Sequence, residues 1–454
     1  MLIVTFVVMA LVQRLARAHG PLEAHATLAL GCVTLAAYVA GTIAQRFRMP
    51  RIVGYLVAGY VAGPAWLRLI RAEELQVLGP ISSGALALIA FAVGNELTLD
   101  ALRGERRTAV LQIATGAMAV PFLAVAFVVL TVSPWFYLTA HQPFRDALVV
   151  ALALGTVAAV SSPATTWTVT TDVAARGPLS RTTLDVTVVQ DLVAVLLVVV
   201  VLVVALPLGS RGTVTPGVAP RTLLILMGSI VAGITLGLAV AQYLRAIHGA
   251  LVLVLVVLAF IIAQAVRLIG LDAGLVALAA GAALRNAAPG QSERMRDELK
   301  RCAIPVYSVF FALAGSSLQL GALEEHWPWV LLLAGLRVTG LWGGLRWRGG
   351  AEGAGQTGHA AVGDDWVKYG WVGLVSQGGL AVTLAAVLRR AFPEWGVSLE
   401  ALLVALIGVH QVAGPICFNW VLRRTGEGTG ETHVPEMATL VAGGSGGSGG
   451  SGGV

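Results

Sequence analysis

The sequence predicts an all-α, polytopic membrane protein. Three observations support this fold class: few charged residues, a high mean hydropathy, and apolar residues gathered into long runs. Apolar residues make up 57% of the 454 residues and charged residues 12%, whereas soluble globular proteins are about 25% charged. The mean hydropathy is +0.83. The apolar residues are gathered into runs of about 20, the length that crosses a bilayer as a helix. A soluble enzyme, a disordered chain and a DNA-binding domain are therefore excluded, so the expected partner is the lipid bilayer and not a nucleic acid.

Fourteen apolar runs mark the predicted spans. They lie at 1–18, 25–46, 52–69, 77–97, 108–132, 145–170, 183–207, 221–243, 249–266, 270–286, 302–320, 327–344, 367–389 and 399–422. The first run has no basic residue ahead of it, unlike a signal peptide, and it predicts an extra N-terminal helix. Residues 345–366 are typical of a flexible Gly-rich linker. Residues 425–454 end in GGSGGSGGSGGV, a flexible linker, native or engineered, to which we assign no function.

The basic residues predict how the chain is oriented in the membrane. One set of alternate loops collects 19 of the 30 Lys and Arg residues and the other set collects 10. Loops rich in Lys and Arg stay in the cytoplasm. We therefore expect a multi-pass protein of the plasma (inner) membrane with both termini in the cytoplasm. With only thirteen spans, the N-terminus would lie outside and the rest of the topology would stand.

Two pairs of segments predict an internal repeat. GNELTLDAL at 94–102 resembles GSSLQLGAL at 315–323, an offset of 221, and VAAVS at 157–161 resembles VGLVS at 372–376, an offset of 215. The paired runs are seven apart, and because seven is odd the two copies cross the membrane in opposite directions. Such inverted repeats are typical of secondary transporters, whose substrate site lies near the midplane at broken helices.

Two repeat-related runs carry residues that break a helix. The sixth run has Pro163 at its middle, and proline removes a backbone donor and clashes with the preceding turn. The thirteenth run has Gly378 and Gly379 at its middle, and paired glycines weaken a helix. Either run alone would be interpreted as an ordinary kinked span. Their corresponding positions in the two halves favour two broken helices.

Asp191 is the one acidic residue well inside a predicted span. It lies eight residues into the seventh run, about 12 Å along a helix and so near the centre of a hydrocarbon core about 30 Å thick. A carboxylate at that depth is costly unless it is protonated, paired or bound to a cation. Asp191 can therefore take a proton or a dehydrated cation. The alternative is a salt bridge to a neighbouring helix, with Arg337 as the candidate partner.

Arg337 is the one Lys or Arg residue well inside a predicted span, and two interpretations stay open for it. It either compensates the negative C-terminal ends of the broken half-helices or extends its side chain to one face of the membrane.

Two further polar residues are assigned no ion-binding role. Glu96, near the end of the fourth run, is expected to be solvated, and His410, in the last run, is expected to pack through a hydrogen bond.

Five segments resemble the monovalent cation:proton antiporters, and most nearly the branch that includes the glutathione-gated potassium efflux systems. They are GYLVAGYVAGP (54–64), FAVGNELTLDALR (91–103), VVQDLVAV (188–195), VSQGG (375–379) and GPICFNWVL (414–422). The resemblance covers about residues 25–424. It implies a homodimer in which a mobile core domain moves like an elevator against a dimerisation domain, with two broken helices crossing beside the ion-binding Asp.

The resemblance also divides the chain into parts. Residues 19–424 would be the transmembrane antiporter domain, and residues 1–18 an added helix that contributes to the dimer contact. The parts of the domain are a dimerisation side at 25–97 and 249–320, an ion-transporting core at 108–207 and 327–422, and a linker helix at 221–243.

The resemblance implies that Asp191 binds a monovalent metal cation and a proton in turn. No resident cofactor is expected, because the cation and the proton are the transported species. The predicted cation shell is completed by backbone carbonyl groups of the broken helices and by the side chains of Gln190, Ser161, Thr165, Thr166, Ser376 and Gln377.

Two departures from the family pattern bear on how many cations are exchanged for each proton. Gln190 precedes the Asp where many sodium exchangers have Asp or Asn, and the run at 302–320 lacks the Lys that electrogenic members carry. Both predict electroneutral exchange, one cation per proton, and leave sodium or potassium open as the ion. Potassium-efflux members also have a nucleotide-binding regulatory domain after the last span. We expect such regulation to be absent or to reside in a domain or subunit that is not present in this chain.

Two other functions stay open. A sodium-coupled organic-anion symporter of the bile-acid type also crosses two broken helices, but it needs sodium sites built from several Asn, Gln and Glu residues and a roomy solute cavity. The breaks here offer Gln377 as their one amide. A non-transporting membrane sensor is the second alternative, and Asp191 at its expected place argues against it.

Overall fold

The computed structural model describes residues 6–7, 22–98, 104–208, 215, 217–246, 251–318, 321–349 and 364–428. Over these residues the chain forms sixteen helices and no strand. The helices are α1 (Leu22–Arg46), α2 (Arg51–Ala62), α3 (Ala72–Gly94), α4 (Gly104–Thr131), α5 (Phe144–Ala158), α6 (Pro163–Asp172), α7 (Pro178–Leu208), α8 (Val218–Ala246), α9 (Leu251–Ile269), α10 (Ala273–Ala287), α11 (Pro289–Arg301), α12 (Ala303–Ser316), α13 (Gly321–Gly349), α14 (Asp364–Gly373), α15 (Gly379–Ala391) and α16 (Gly396–Arg424).

The described helices confirm the all-α membrane fold. Eight segments are long and apolar enough to cross a membrane, and one of them, Phe144–Asp172, contains the predicted break at Pro163. Shorter apolar helices, such as Ala303–Ser316, lie among them. The predicted N-terminal helix at 1–18, apart from residues 6–7, lies outside the described residues, as do most of the predicted linker and tail.

The helices pack into two bundles. The first bundle consists of α1, α2, α3, α8, α9, α10, α11 and α12, in which α10 packs on α3 and α8, and α2 packs on α1 and α12. The second bundle consists of α4 to α7 and α13 to α16, in which α4 packs on α5 and α13, and α16 packs on α13 and α15. The bundles meet chiefly where α3 contacts α6 and where α7 contacts α8.

Close helix contacts in the first bundle confirm the inverted repeat. Each contact sets a glycine against a backbone carbonyl group of a neighbouring helix, an approach that a Cβ atom would prevent. The contacts are Gly59 with Ala312, Gly315 with Leu56, Gly281 with Phe91, and Gly94 with Leu278. Positions 59 and 281 differ by 222, and positions 94 and 315 by 221. The contacts between α2 and α12 are therefore repeated between α10 and α3.

Two elements differ from the sequence prediction. The third run extends to residue 69, but α2 ends at Ala62 because the chain turns at Gly63, whose N–H still bonds to Tyr60 O. The sequence predicts a loop between the runs at 270–286 and 302–320, because the residues there are polar and carry no membrane signal. The structure instead forms α11 there, which buries only Ser292, Met295 and Leu299.

Helix α11 also changes the surroundings of Glu96. The sequence predicted a solvated carboxylate, but Arg296 of α11 forms an ion pair with it, with Nε 2.6 Å from Oε1. Burial raises the pKa of Glu96, and the positive charge of Arg296 opposes that shift.

Candidate ion-binding site

The first predicted break separates α5 from α6. Helix α5 ends at Ala158, and Ser162 then accepts a hydrogen bond from the Thr165 N–H at 3.2 Å, which caps the start of α6. Pro163 occupies the first helical position, where its missing N–H costs no helical hydrogen bond. The sequence around Pro163 therefore ends one helix and starts another within a single span.

The second predicted break separates α14, which ends at Gly373, from α15, which begins at Gly379. The two breaks touch, because the Ser162 N–H donates to Ser376 O at 2.9 Å. Gly378 allows this approach, since a Cβ atom there would lie 2.5 Å from Ser162 Oγ. The broken helices thus cross at their interruptions, within the second bundle.

The guanidinium group of Arg337 lies between the two breaks. Its side chain is fully buried on α13, and it donates to carbonyl oxygens that follow α5 and α14 or end them. These hydrogen bonds run from Nε to Ala158 O (3.0 Å), from Nη2 to Val160 O (2.7 Å) and Leu374 O (3.0 Å), and from Nη1 to Val375 O (2.6 Å). Helix C-termini carry partial negative charge. The structure therefore places Arg337 at the half-helix ends, and no described salt bridge joins it to Asp191.

The side chains of Gln377 and Ser161 also join the two breaks. Gln377 Nε2 donates to Val157 O at 2.7 Å, and its Oε1 accepts from His410 Nδ1 at 3.0 Å. Ser161 Oγ donates to Leu374 O at 2.7 Å. His410 packs through a hydrogen bond, as the sequence predicted, and the amide of Gln377 is fully used within the crossing.

Three other predicted ligands carry buried oxygen atoms that have no partner. Asp191 lies on α7 with 9% of its surface exposed, and its Oδ1 has no hydrogen-bond partner among the described residues. The same holds for Gln190 Oε1 on α7 and for Thr166 Oγ1 on α6. More than about 90% of buried polar groups in proteins are hydrogen-bonded. Unsatisfied oxygens of this kind are suited to bind a proton or a cation.

Asp191 lines a cavity between the two bundles. The second bundle contributes Asp191, Ser161 and Thr383 to its wall, and the first bundle contributes Asp272 together with apolar residues of α3 and α10. The lining carries two carboxylates and no basic residue. Its chemistry therefore favours a cation.

The structure distributes the predicted ligands over three places. Asp191 and Ser161 line the cavity, whereas Gln190, Thr165 and Thr166 are buried on α6 and α7, and Ser376 and Gln377 lie in the crossing. Sequence reasoning missed Asp272. It lies near the start of an apolar run, two residues after Gly270, where an acidic residue is typical of a helix cap, and no pattern marks it as part of the cavity.

The comparisons with known proteins all find sodium/hydrogen exchangers or cation:proton antiporters. The profile of a family described as "Sodium/hydrogen exchanger, transmembrane" matches residues 33–423. The chain is similar to the Na(+)/H(+)-K(+) antiporter GerN of Bacillus cereus, with 32% identity over 94 residues, which are 21% of this chain and 24% of that protein.

Its fold is similar to two structures of the sodium proton antiporter MjNhaP1 from Methanocaldococcus jannaschii. One, determined at pH 8, has 17% identity and a TM-score of 0.60 and covers 89% of this chain and 97% of the other. The second, from electron microscopy, has 16% identity and a TM-score of 0.63 and covers 87% of this chain and 96% of the other. At these identities the likeness shows the fold alone.

Proposed function

We propose that this chain, which belongs to the sodium/hydrogen exchanger family, exchanges a monovalent cation, sodium or potassium, for protons at Asp191. The observation that carries the proposal is the unpartnered Oδ1 of Asp191, a buried carboxylate oxygen beside a cavity whose lining has no basic residue. A single carboxylate that binds either a proton or a cation couples the two fluxes, because occupation by one excludes the other.

The surrounding residues have distinct proposed roles. Arg337 provides charge compensation at the half-helix ends, so that the second bundle keeps its two breaks together. The free oxygens of Gln190 and Thr166 complete the cation shell with Ser161, Thr165, Ser376 and Gln377, the last two through backbone oxygens. Pro163, Gly378 and Gly379 interrupt the helices that expose those oxygens.

We assign the second bundle as the mobile core and the first bundle as the dimerisation side, with α8 as the linker helix. Two observations support an elevator motion. Both breaks and Asp191 lie in the second bundle, which can therefore carry the site as a unit. The glycine–carbonyl contacts of α2, α3, α10 and α12 make the first bundle closely packed. We expect a homodimer in the plasma membrane with a cytoplasmic C-terminus.

The decisive experiment is transport in proteoliposomes with Asp191→Asn. The amide cannot exchange a proton for a cation, so cation-dependent proton flux should fall to the level of protein-free vesicles. Glu400→Gln is the matched control, because it removes a carboxylate that pairs with Arg389 at the surface, and it should retain wild-type flux. Persistent exchange in the Asp191→Asn protein would overturn the proposal.

The stoichiometry has its own test. With one carboxylate in exchange and no Lys in the run at 302–320, one cation moves per proton and no net charge is transferred. An imposed membrane potential should therefore leave turnover unchanged. Turnover that rises or falls with the potential would contradict electroneutral exchange.

The same assay separates the alternative functions. An organic-anion symporter of the bile-acid type would show cation-stimulated uptake of an organic acid without proton movement. Asp191 and Asp272 in the cavity lining would repel such an anion. A non-transporting sensor would show no flux with sodium, potassium or lithium.

A further inference from the structure

Asp272 belongs structurally to the first bundle. It precedes α10, and its Oδ1 accepts a hydrogen bond from the Leu275 N–H at 2.9 Å, which caps the helix. Its backbone N–H donates to Ser229 Oγ of α8 at 2.8 Å. Both contacts hold the carboxylate on the bundle that does not carry Asp191.

The other oxygen of this carboxylate faces the second bundle. Asp272 Oδ2 accepts from the Thr383 hydroxyl of α15 at 3.0 Å. No described Lys, Arg or His forms an ion pair with Asp272, unlike Glu96 with Arg296 or Glu400 with Arg389. Among the described residues, no basic side chain neutralises its negative charge, which therefore acts on the cavity that Asp272 lines.

The cavity therefore has one carboxylate on each wall, Asp191 on the second bundle and Asp272 on the first. Asp191 is 9% exposed with an unpartnered Oδ1, and Asp272 is half-buried. Two like charges beside one low-dielectric cavity repel each other, and a cation between them relieves that repulsion. Clefts lined by one sign of charge also raise the local counter-ion concentration.

We propose that Asp272 is a second cation-binding carboxylate, which holds the arriving monovalent cation on the first bundle before the ion passes to Asp191. The inference rests on the proposed exchange at Asp191. Since the two carboxylates belong to bundles that the elevator motion displaces against each other, Asp272 serves the site in one access state only. Its effect on cation affinity is therefore confined to one face of the membrane.

The test is Asp272→Asn, measured in right-side-out and everted vesicles. Asn caps a helix as well as Asp does. With its Oδ1 on the Leu275 N–H, its Nδ2 takes the place of Oδ2 and donates to the Thr383 hydroxyl, which can accept as well as donate. The variant therefore keeps both contacts and removes the charge. The cation concentration for half-maximal exchange should rise about tenfold on one face of the membrane and stay unchanged on the other. The rise is expected because the cavity loses a charge that raises the local cation concentration. The maximal rate should stay within about twofold, because a saturating cation concentration compensates for the weaker binding and the exchange at Asp191 itself is unchanged.

Two further variants separate charge from packing. Asp272→Ser also keeps a capping oxygen, so it should reproduce the one-sided change even where Asp272→Asn fails to fold. Thr383→Val removes the contact between the bundles but leaves the charge, so its effect on half-saturation should be much smaller than that of Asp272→Asn. An effect of Thr383→Val as large as that of Asp272→Asn, or an equal effect on both faces, would assign Asp272 a purely structural role and overturn the inference.

The inference and the proposed function fail separately. If Asp272→Asn leaves half-saturation unchanged on both faces while Asp191→Asn abolishes exchange, the second binding carboxylate is overturned and the exchange at Asp191 stands. If the wild-type protein shows no cation–proton exchange, the proposed function is wrong and the inference falls with it.

Discussion

Two junctions between the bundles occupy repeat-related places and use different chemistry. At the first, the start of α2 contacts the end of α6, where the Arg51 N–H donates to Asp172 Oδ2 at 2.9 Å and Arg51 Nε lies 3.5 Å from Oδ1. At the second, the start of α10 contacts α15 through Asp272 and Thr383. Positions 51 and 272 differ by 221, the offset of the sequence repeat.

The two junctions differ in how far they are closed to solvent. The first junction pairs opposite charges with side chains only 16% and 11% exposed, and Asn419 of α16 adds a hydrogen bond to Arg48 O at 2.9 Å. The second junction sets a carboxylate against a hydroxyl beside the cavity of Asp191. The same fold unit, used twice, is sealed at one end and accessible at the other. Under the proposed exchange, the two junctions swap these states when the second bundle moves.

The largest effect is expected from linking the sealed junction covalently. In a protein without Cys32, Cys302 and Cys417, the variant Arg51→Cys/Asp172→Cys should react with a short bifunctional thiol reagent. The link would tie α2 to α6 and hold the bundles in one state. Exchange should be lost on cross-linking and should return when a cleavable linker is cut, as measured by proton flux in proteoliposomes.

A link inside one bundle is the control for that experiment. Arg285→Cys/Glu293→Cys joins α10 to α11, whose side chains already form an ion pair within the first bundle. Cross-linking this pair should leave exchange intact. Equal inactivation by both links would show that the loss of exchange does not depend on movement between the bundles. Unaffected exchange after complete cross-linking of 51 to 172 would show that exchange needs no such movement.

The repeat that relates these junctions could be predicted from the sequence, whereas the difference between them could not. The offset of 221 follows from two similar sequence segments, and the breaks at Pro163 and Gly378 follow from the backbone chemistry of proline and glycine. Asp191 and Arg337 were recognisable because charge inside an apolar run is costly. These properties are local to a segment, so they needed no knowledge of its neighbours.

Features that depend on neighbours were missed or left open. Asp272 looks like a helix cap until α15 is placed beside it. The sequence left two interpretations for Arg337, and only the crossing of α5 with α14 shows which carbonyl oxygens it reaches. Helix α11 is too polar for a hydropathy signal, and its partner Glu96 was misjudged for that reason.

A smaller effect is expected from neutralising the sealed junction. Asp172→Asn removes the charge that faces Arg51 and should favour the state in which this junction is open. The ion pair is nearly buried, and breaking such a pair by removing one partner is destabilising because a charge is left uncompensated. A cysteine at position 45, whose Gln side chain contacts Asp172, should react several-fold faster with a membrane-impermeant maleimide. Glu298→Gln, which breaks an exposed pair with Arg301, should leave that rate unchanged.

The smallest effect is expected from Thr383→Val at the accessible junction. The variant keeps the shape of the side chain and removes one hydrogen bond to a half-buried carboxylate, which water in the cavity can replace. Exchange should therefore change by less than about fivefold, the factor that corresponds to a net hydrogen bond of about 1 kcal/mol. A loss of exchange comparable to that of the cross-linked protein would show that Asp272 and Thr383 hold the bundles together as firmly as Arg51 and Asp172, and the contrast between a sealed and an accessible junction would be wrong.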